Sequence, residues 1–193
     1  MKNKIDEILK NTLRIGEKVL WESGTQHFRL FDGVEGRATL AKWLIGGICY
    51  IIAIGLFAFD KGVTTRMVVA FSLILAFAVI VPLHSFKALL VQRYYVTTQR
   101  AIMISKNGAV FTMERKNIDA IRIYPVRPGA AIVLGKSIVS EQDKQLRWRS
   151  VHAMHDPNSE DVRDCIGLVF YNVEFAERAV RLLEEPVDTD SQM

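Results

Sequence analysis

The sequence predicts an α+β membrane protein: a two-helix transmembrane hairpin followed by a mainly antiparallel β-rich domain with a C-terminal helix. Three observations carry that expectation. Leu44 to Phe59 is a run of sixteen residues without a charge, and Met67 to Phe86 is a run of twenty. After Arg93 the chain changes to short β-branched and aromatic runs separated by Gly, Asn and Pro, the signature of strands and turns. From Val173 to Glu185 the spacing is helical again. The whole chain, 193 residues at 50% hydrophobic and 24% charged content, suits one or two small domains and excludes a disordered or fibrous polymer.

Each long apolar run reaches the roughly 20 residues that cross a hydrocarbon core of about 30 Å. The expected spans are 41–59, with Lys42 snorkelling toward the headgroups, and 67–86, within a hairpin segment 41–92. Asp60 to Arg66 is the link, and Trp43, Tyr94 and Tyr95 are expected anchors at the interface. A soluble helical hairpin is disfavoured, because the remainder of the chain is too small to cover two helices apolar on every side. Arg29, Arg37, Lys42, Lys87, Arg93 and Arg100 flank the spans, against Lys61 and Arg66 in the link, so both termini are expected in the cytoplasm at an inner membrane. Met1 to Leu13 has no continuous apolar core of a cleaved signal. Cys49 and Cys165 are not expected to pair, which agrees with a reducing compartment.

Residues 1–40 form an N-terminal cytoplasmic segment. Ile5, Ile8, Leu9 and Leu13 recur at helical spacing, giving a short amphipathic helix that either packs on the core or rests on the bilayer. Gly16 to Gly24 reads as a turn and a strand burying Val19 or Leu20 together with Trp21, and Thr25 to Thr39 as a connector. Residues 93–185 hold the β-rich domain. Strands are expected at Tyr94–Thr97, Ala101–Ser105, Ala109–Met113, Ile118–Tyr124, Ala130–Leu134, Ser137–Ser140 and Gln145–Met154. Asn107-Gly108 predicts a hairpin with a type I′ turn, and Glu141 to Lys144 a polar turn. Ile166 to Tyr171 is a further strand, and Asn172 is placed to cap a helix from about Val173 to Glu185. Residues 186–193 form an acidic tail expected to be disordered.

Two segments carry a family likeness. Tyr95-Val96-Thr97-Thr98-Gln99-Arg100-Ala101-Ile102-Met103-Ile104, followed by Gly108 and Ile118 to Ile123, resembles the opening strands of bacterial pleckstrin-homology-like domains. Gly16-Glu17-Lys18-Val19-Leu20-Trp21 is similar to the segment preceding the membrane hairpin in those proteins, and Phe170 to Arg178 to their closing strand and helix. The resemblance implies a partly open antiparallel barrel capped by one helix, and it transfers no catalytic residue. Arg127 to His155 departs from the family pattern.

The motifs of chemistry are missing from the sequence. It holds no phosphate-binding glycine loop and no nucleophile elbow. His152 and His155, with Cys165 beyond them, would point two rings to opposite faces of an extended strand, so no metal site is assigned. His84 reads as a helix-contact residue and Pro82 as a kink, while Glu160, Asp161 and Asp164 read as a solvated acidic face. No enzyme activity, catalytic residue or cofactor is expected.

Charge is more informative. Lys87 to Arg149 holds twelve basic and four acidic residues, and Ser150 to Met193 three basic and ten acidic. Arg122, Arg127, Lys136, Lys144, Arg147 and Arg149 therefore form the candidate surface for a protein or anionic-lipid partner, unless the acidic half covers them. Nucleic acid is not expected at a net charge of +4 beside a membrane. The expected function is a membrane-tethered module that binds partners at the cytoplasmic face. The alternative is an assembly subunit whose hairpin contacts a larger complex through Gly46, Gly47, Gly55, Ala70, Ser72, Ala76 and Ala78. Oligomeric state stays open.

Overall fold

The computed structural model describes residues 2–28, 33–60, 64–136 and 143–185. The chain divides into two compact units, Phe28–Lys87 and the combination of Met1–His27 with Ala88–Met193. The expected strand Ser137–Ser140, most of the polar turn after it and the tail 186–193 lie outside the described residues.

The first of these units is built from α2 (Gly33–Asp60) and α3 (Thr65–Leu89), both longer at each end than the expected spans. Gly36–Leu56 and Thr65–Leu89 are long and apolar enough to cross a membrane. The helices run antiparallel: Trp43 Nε1 donates to Ala78 O at 3.1 Å, and Tyr50 Oη lies 3.0 Å from Ser72 Oγ. Trp43, Tyr50 and Ser72 thus find partners within the hairpin. Phe28 meets Phe86 edge-on at 5.0 Å.

The other unit opens with α1 (Lys2–Thr12), followed by β1 (Val19–Gly24). Of the two options for α1 the fold takes packing, since Ile5, Ile8, Leu9 and Leu13 sit on Tyr95, Ile102 and Ile104. In β1 only Trp21 is buried. A bulge between Val19 and Trp21 inserts Leu20 without a partner on the next strand, which leaves both Val19 and Leu20 partly in solvent.

After the hairpin come β2 (Arg93–Thr97), β3 (Arg100–Ile104) and β4 (Val110–Glu114), which with β1 make an antiparallel sheet in the order β1-β2-β3-β4. The β3–β4 hairpin is present, but its turn differs from the expected type I′. Gly108 N–H donates to Ser105 O at 3.0 Å, so Lys106 and Asn107 are the central residues, and the positive φ falls on Gly108 at +83°. The glycine closes a longer loop in place of forming a two-residue turn.

A 3-10 turn at Arg115–Asn117 leads to β5 (Ile121–Pro125) and β6 (Ala130–Gly135). The expected strand Gln145–Met154 is a correction. Asp143–Val151 is a helix, α4, and only Met154–His155 is a strand, β7. Leu146 and Trp148 alternate as in a strand, yet Leu146 and Ser150, four apart, are the buried pair that faces the sheet. The chain ends in β8 (Cys165–Val173) and α5 (Ala176–Glu184). A second antiparallel sheet has the order β5-β6-β8-β7.

The described strands make two antiparallel four-stranded sheets, with no closed barrel among them. One isolated bridge, Thr112 to Asp164, ties β4 to the loop before β8. The core lies between the sheets, where Phe170 stacks with Trp21 at 6.3 Å and tilts against Tyr94 at 4.8 Å. Helix α5 seals it with Ala176, Ala179, Val180 and Leu183, an i, i+3, i+4, i+7 stripe. Asn172 is not its cap. It is buried in β8, and Phe175 precedes the helix at a φ of 51°.

Candidate functional site

The candidate basic residues are distributed over the second sheet and α4. Arg122, on the edge strand β5, pairs with Val133 of β6, which pairs with Val169 of β8. Alternation along β8 sends Phe170 into the core and Val169 and Tyr171 to the opposite face. Helix α4 covers that face at Tyr171, two residues along β8 from Val169, so Arg122 and Arg147 belong to the same face, Arg122 on the edge strand and Arg147 on the helix above β8. Arg127 is exposed in the turn before β6 and Lys136 just after it, beyond the two ends of a strand that itself rises about 17 Å. Among the residues whose side chains are described, Arg122 and Arg147 thus lie on one face, while Arg127 and Lys136 flank the two ends of β6. Lys144 belongs to α4, but its side chain lies outside the described residues.

The two arginines of α4 differ. Arg147 is turned inward: Nε donates to Tyr171 Oη at 2.8 Å, and the guanidinium lies 5.7 Å from the ring centroid. It holds the helix on the sheet. Arg149 lies outward, its guanidinium 4.8 Å from the centroid of Trp148, which is 53% exposed. The His152 ring stacks on the same indole at 4.8 Å and 20°, with Nδ1 3.0 Å from Trp148 O. That contact assigns the ring hydrogen to Nδ1. His155 instead lies against Phe111 on the other side of the β7 segment. The two histidines, weighed in the sequence as metal ligands, are thus engaged with separate aromatic rings.

A buried polar chain positions this cluster. Gln92 Nε2 donates to Ser150 O at 2.8 Å, and Tyr94 Oη donates to Gln92 Oε1 at 2.8 Å and lies 3.1 Å from Thr25 Oγ1. Burial pushes the Tyr94 phenol up to about 12, against hydrogen bonds that favour its anion, so it stays a donor. The end of α4 is thereby fixed to the first residues of β2.

The acidic cluster has a structural role. Asp164 accepts from Thr112 Oγ1 at 3.0 Å and Ser159 Oγ at 2.8 Å, which fastens the loop to β4. Asp161 is paired to Arg163 at 2.6 Å; hydrogen bonds from Arg163 hold its carboxyl at about 2.

Sequence reasoning missed Trp148 and Gln92. A tryptophan between two arginines, Arg147-Trp148-Arg149, was the available signal for the first. Gln92 has none, since its partner is 58 residues away. Comparison of the chain with protein-family models, with curated proteins and with solved structures finds no match in any of the three.

Proposed function

We propose that the chain is a membrane-tethered binding module, in which α2 and α3 cross the bilayer as a hairpin and the α+β unit holds protein or anionic-lipid partners at the cytoplasmic face. The observation that carries the reading is the bare apolar surface of the two helices. Among the described residues between Leu44 and Val81, twelve large apolar side chains are exposed, Ile51 at 70% and Phe77 at 67% among them. Burying one such side chain is worth about 1.5–3 kcal/mol, so leaving all of them in water costs more than the roughly 5–15 kcal/mol that stabilises a small domain. Lipid removes that cost.

The likeness to pleckstrin-homology-like domains is supported by two antiparallel four-stranded sheets closed by a C-terminal helix, and by contact between its two opening motifs. Glu17, from Gly16-Glu17-Lys18, is hydrogen-bonded to Thr97 and Arg100. Among the described residues β5 is an edge strand paired only with β6, with Arg122 exposed, and it is suited to accept an added strand.

Alkaline carbonate washing of membranes that contain the full chain tests the anchor. The chain is expected to stay in the pellet, with the domain open to protease from the cytoplasmic side; release of intact chain into the supernatant would overturn the reading. A specific observation favours a second reading, assembly through the hairpin: a side chain at Gly47 or Gly55 would meet nothing within 4 Å. Loss of copurifying proteins on Gly47→Leu but not on Arg122→Glu would select it.

A further inference from the structure

The end of α4 is tied to the residues that leave the second apolar helix. Leu89 is the last residue of α3, and Gln92 N–H donates to its carbonyl at 3.1 Å. The Gln92 side chain, 2% exposed as a residue, holds the Ser150 carbonyl at 2.8 Å. Leu89, Gln92 and Ser150 all belong to the α+β unit, and three residues span at most about 11 Å, so within that unit the last turn of α4 lies close to the point where the chain enters it from the hairpin. On that turn stands Trp148, half exposed, beneath the Arg149 guanidinium and stacked by His152.

On the inner side of α4, Leu146 and Ser150 are buried and Arg147 is bonded to Tyr171. Its outer rim presents an indole with a cation on its face. An indole is amphipathic and prefers headgroup level, and an arginine beside it meets lipid phosphates. Resting on the membrane-tether reading, we propose that Trp148 and Arg149, with His152 bracing the indole, form a second membrane contact that docks the domain on anionic headgroups at the cytoplasmic end of α3.

Tryptophan quenching by brominated lipids in nanodiscs tests this on the full chain. The tryptophans are Trp21, Trp43 and Trp148. Quenching lost on Trp43→Phe reports the hairpin, quenching lost on a further Trp148→Phe reports α4, and buried Trp21 supplies the background. Discs of phosphatidylcholine alone are compared with discs that also contain phosphatidylglycerol. Trp148 is expected to be quenched in the anionic discs, and Arg149→Gln to weaken that anionic-lipid-dependent contact about fivefold, the worth of one cation near the surface. Trp43 quenched with Trp148 unquenched in both lipids would overturn the docking while leaving the anchor intact. Equal quenching of Trp148 in both lipids would overturn the anionic assignment, as would a Trp148 screened from both bromine and aqueous iodide by a copurified protein. Quenching of neither Trp43 nor Trp148 would remove the anchor and the docking together.

Discussion

Glu17 and Arg100 meet across 83 residues of sequence as a two-pronged buried ion pair, Nε to Oε1 at 3.0 Å and Nη2 to Oε2 at 2.9 Å. Thr97 Oγ1 also donates to Glu17 at 2.6 Å, and Arg14 N–H to its other oxygen at 2.8 Å. The pair joins the segment before β1 to the β2–β3 turn, so the hairpin lies in a loop whose two ends are fastened together. Removing one partner leaves a buried charge uncompensated. Glu17→Gln and Arg100→Met are each expected to cost about 3–5 kcal/mol, and the double variant less than their sum. Denaturant unfolding of the four chains, followed by Trp21 emission, measures the coupling; additive losses would remove the pair from the account.

The same carboxylate sets an acid limit. Burial works to raise the Glu17 pKa, but hydrogen bonds from Arg100, the Arg14 amide and Thr97, with the Arg100 charge, outweigh it and hold it below 4.5. A depressed folded pKa favours the fold when the unfolded carboxyl would be protonated more readily. The contribution is complete above the ordinary carboxylate value and is lost as pH falls through the lowered folded one. Wild type is expected to lose more stability than Glu17→Gln between pH 5 and acid. Parallel acid titrations of the two chains would sink this assignment.

Asn172 combines a backbone and a side-chain requirement. Its φ is 52°, its Oδ1 accepts from Gly129 N–H at 2.8 Å, and its Nδ2 donates to Gln26 O at 3.0 Å. Asn172→Ala is expected to cost about 2–4 kcal/mol, from the left-handed backbone and two unpaired groups. Asn172→Gly should recover only the backbone part. Thermal melts of both variants check this ordering, and hydrogen exchange at the Gly129 amide should quicken equally in each.

How much of this was legible depended on range along the chain. The helical hairpin, β2 to β6 and the C-terminal strand-helix pair follow local patterns; the strands lie within about three residues of where those patterns end, while α2 begins eight residues before the expected span. Asn172 was misread because asparagine tolerates a positive φ both outside helices and within a bulged strand. Helix α4 was misread because Leu146 and Trp148 alternate, while the burial of Ser150 rests on Gln92, to which no local spacing points. The ion pair was visible only as two motifs of one family likeness. The basic surface was legible in composition but not in placement, since Arg147 is taken by Tyr171 and Arg127 and Lys136 fall at opposite ends of β6.

Gly135 ends β6 at a φ of +67°, where an added Cβ would run into Met113 Cε and the Ile166 carbonyl. The methionine tip has room to swing, but the carbonyl is fixed in the strand pairing with β8. Gly135→Ala is therefore expected to lower stability by about 2–4 kcal/mol, from an unfavourable backbone region together with a steric clash. A melting temperature within a degree or two of wild type would show that β8 yields at that point.

Cys165 is a built-in reporter of opening. It is 4% exposed, and its Sγ lies 3.5 Å from Arg163 O. Burial, aided by the Asp164 charge and opposed by the Thr112 amide, pushes the thiol up to about 12, so at neutral pH it is held as the unreactive thiol. Only the thiolate reacts quickly with maleimide, and the folded chain also blocks its approach. With Cys49→Ser removing the other thiol, mass-shift labelling of native protein at neutral pH is expected to be slow. It should speed up in the Gly135→Ala and Glu17→Gln backgrounds in proportion to their loss of stability, because labelling then follows the population of the opened state. Raising the pH separates the routes. Attack on the folded thiol should rise about tenfold per unit below the raised pKa, whereas attack after opening should level off once an unfolded thiol, near 8.5, is ionised. Rapid stoichiometric labelling of the unmutated domain at neutral pH would contradict the burial of Cys165 and, with it, the packing of β8 against β4.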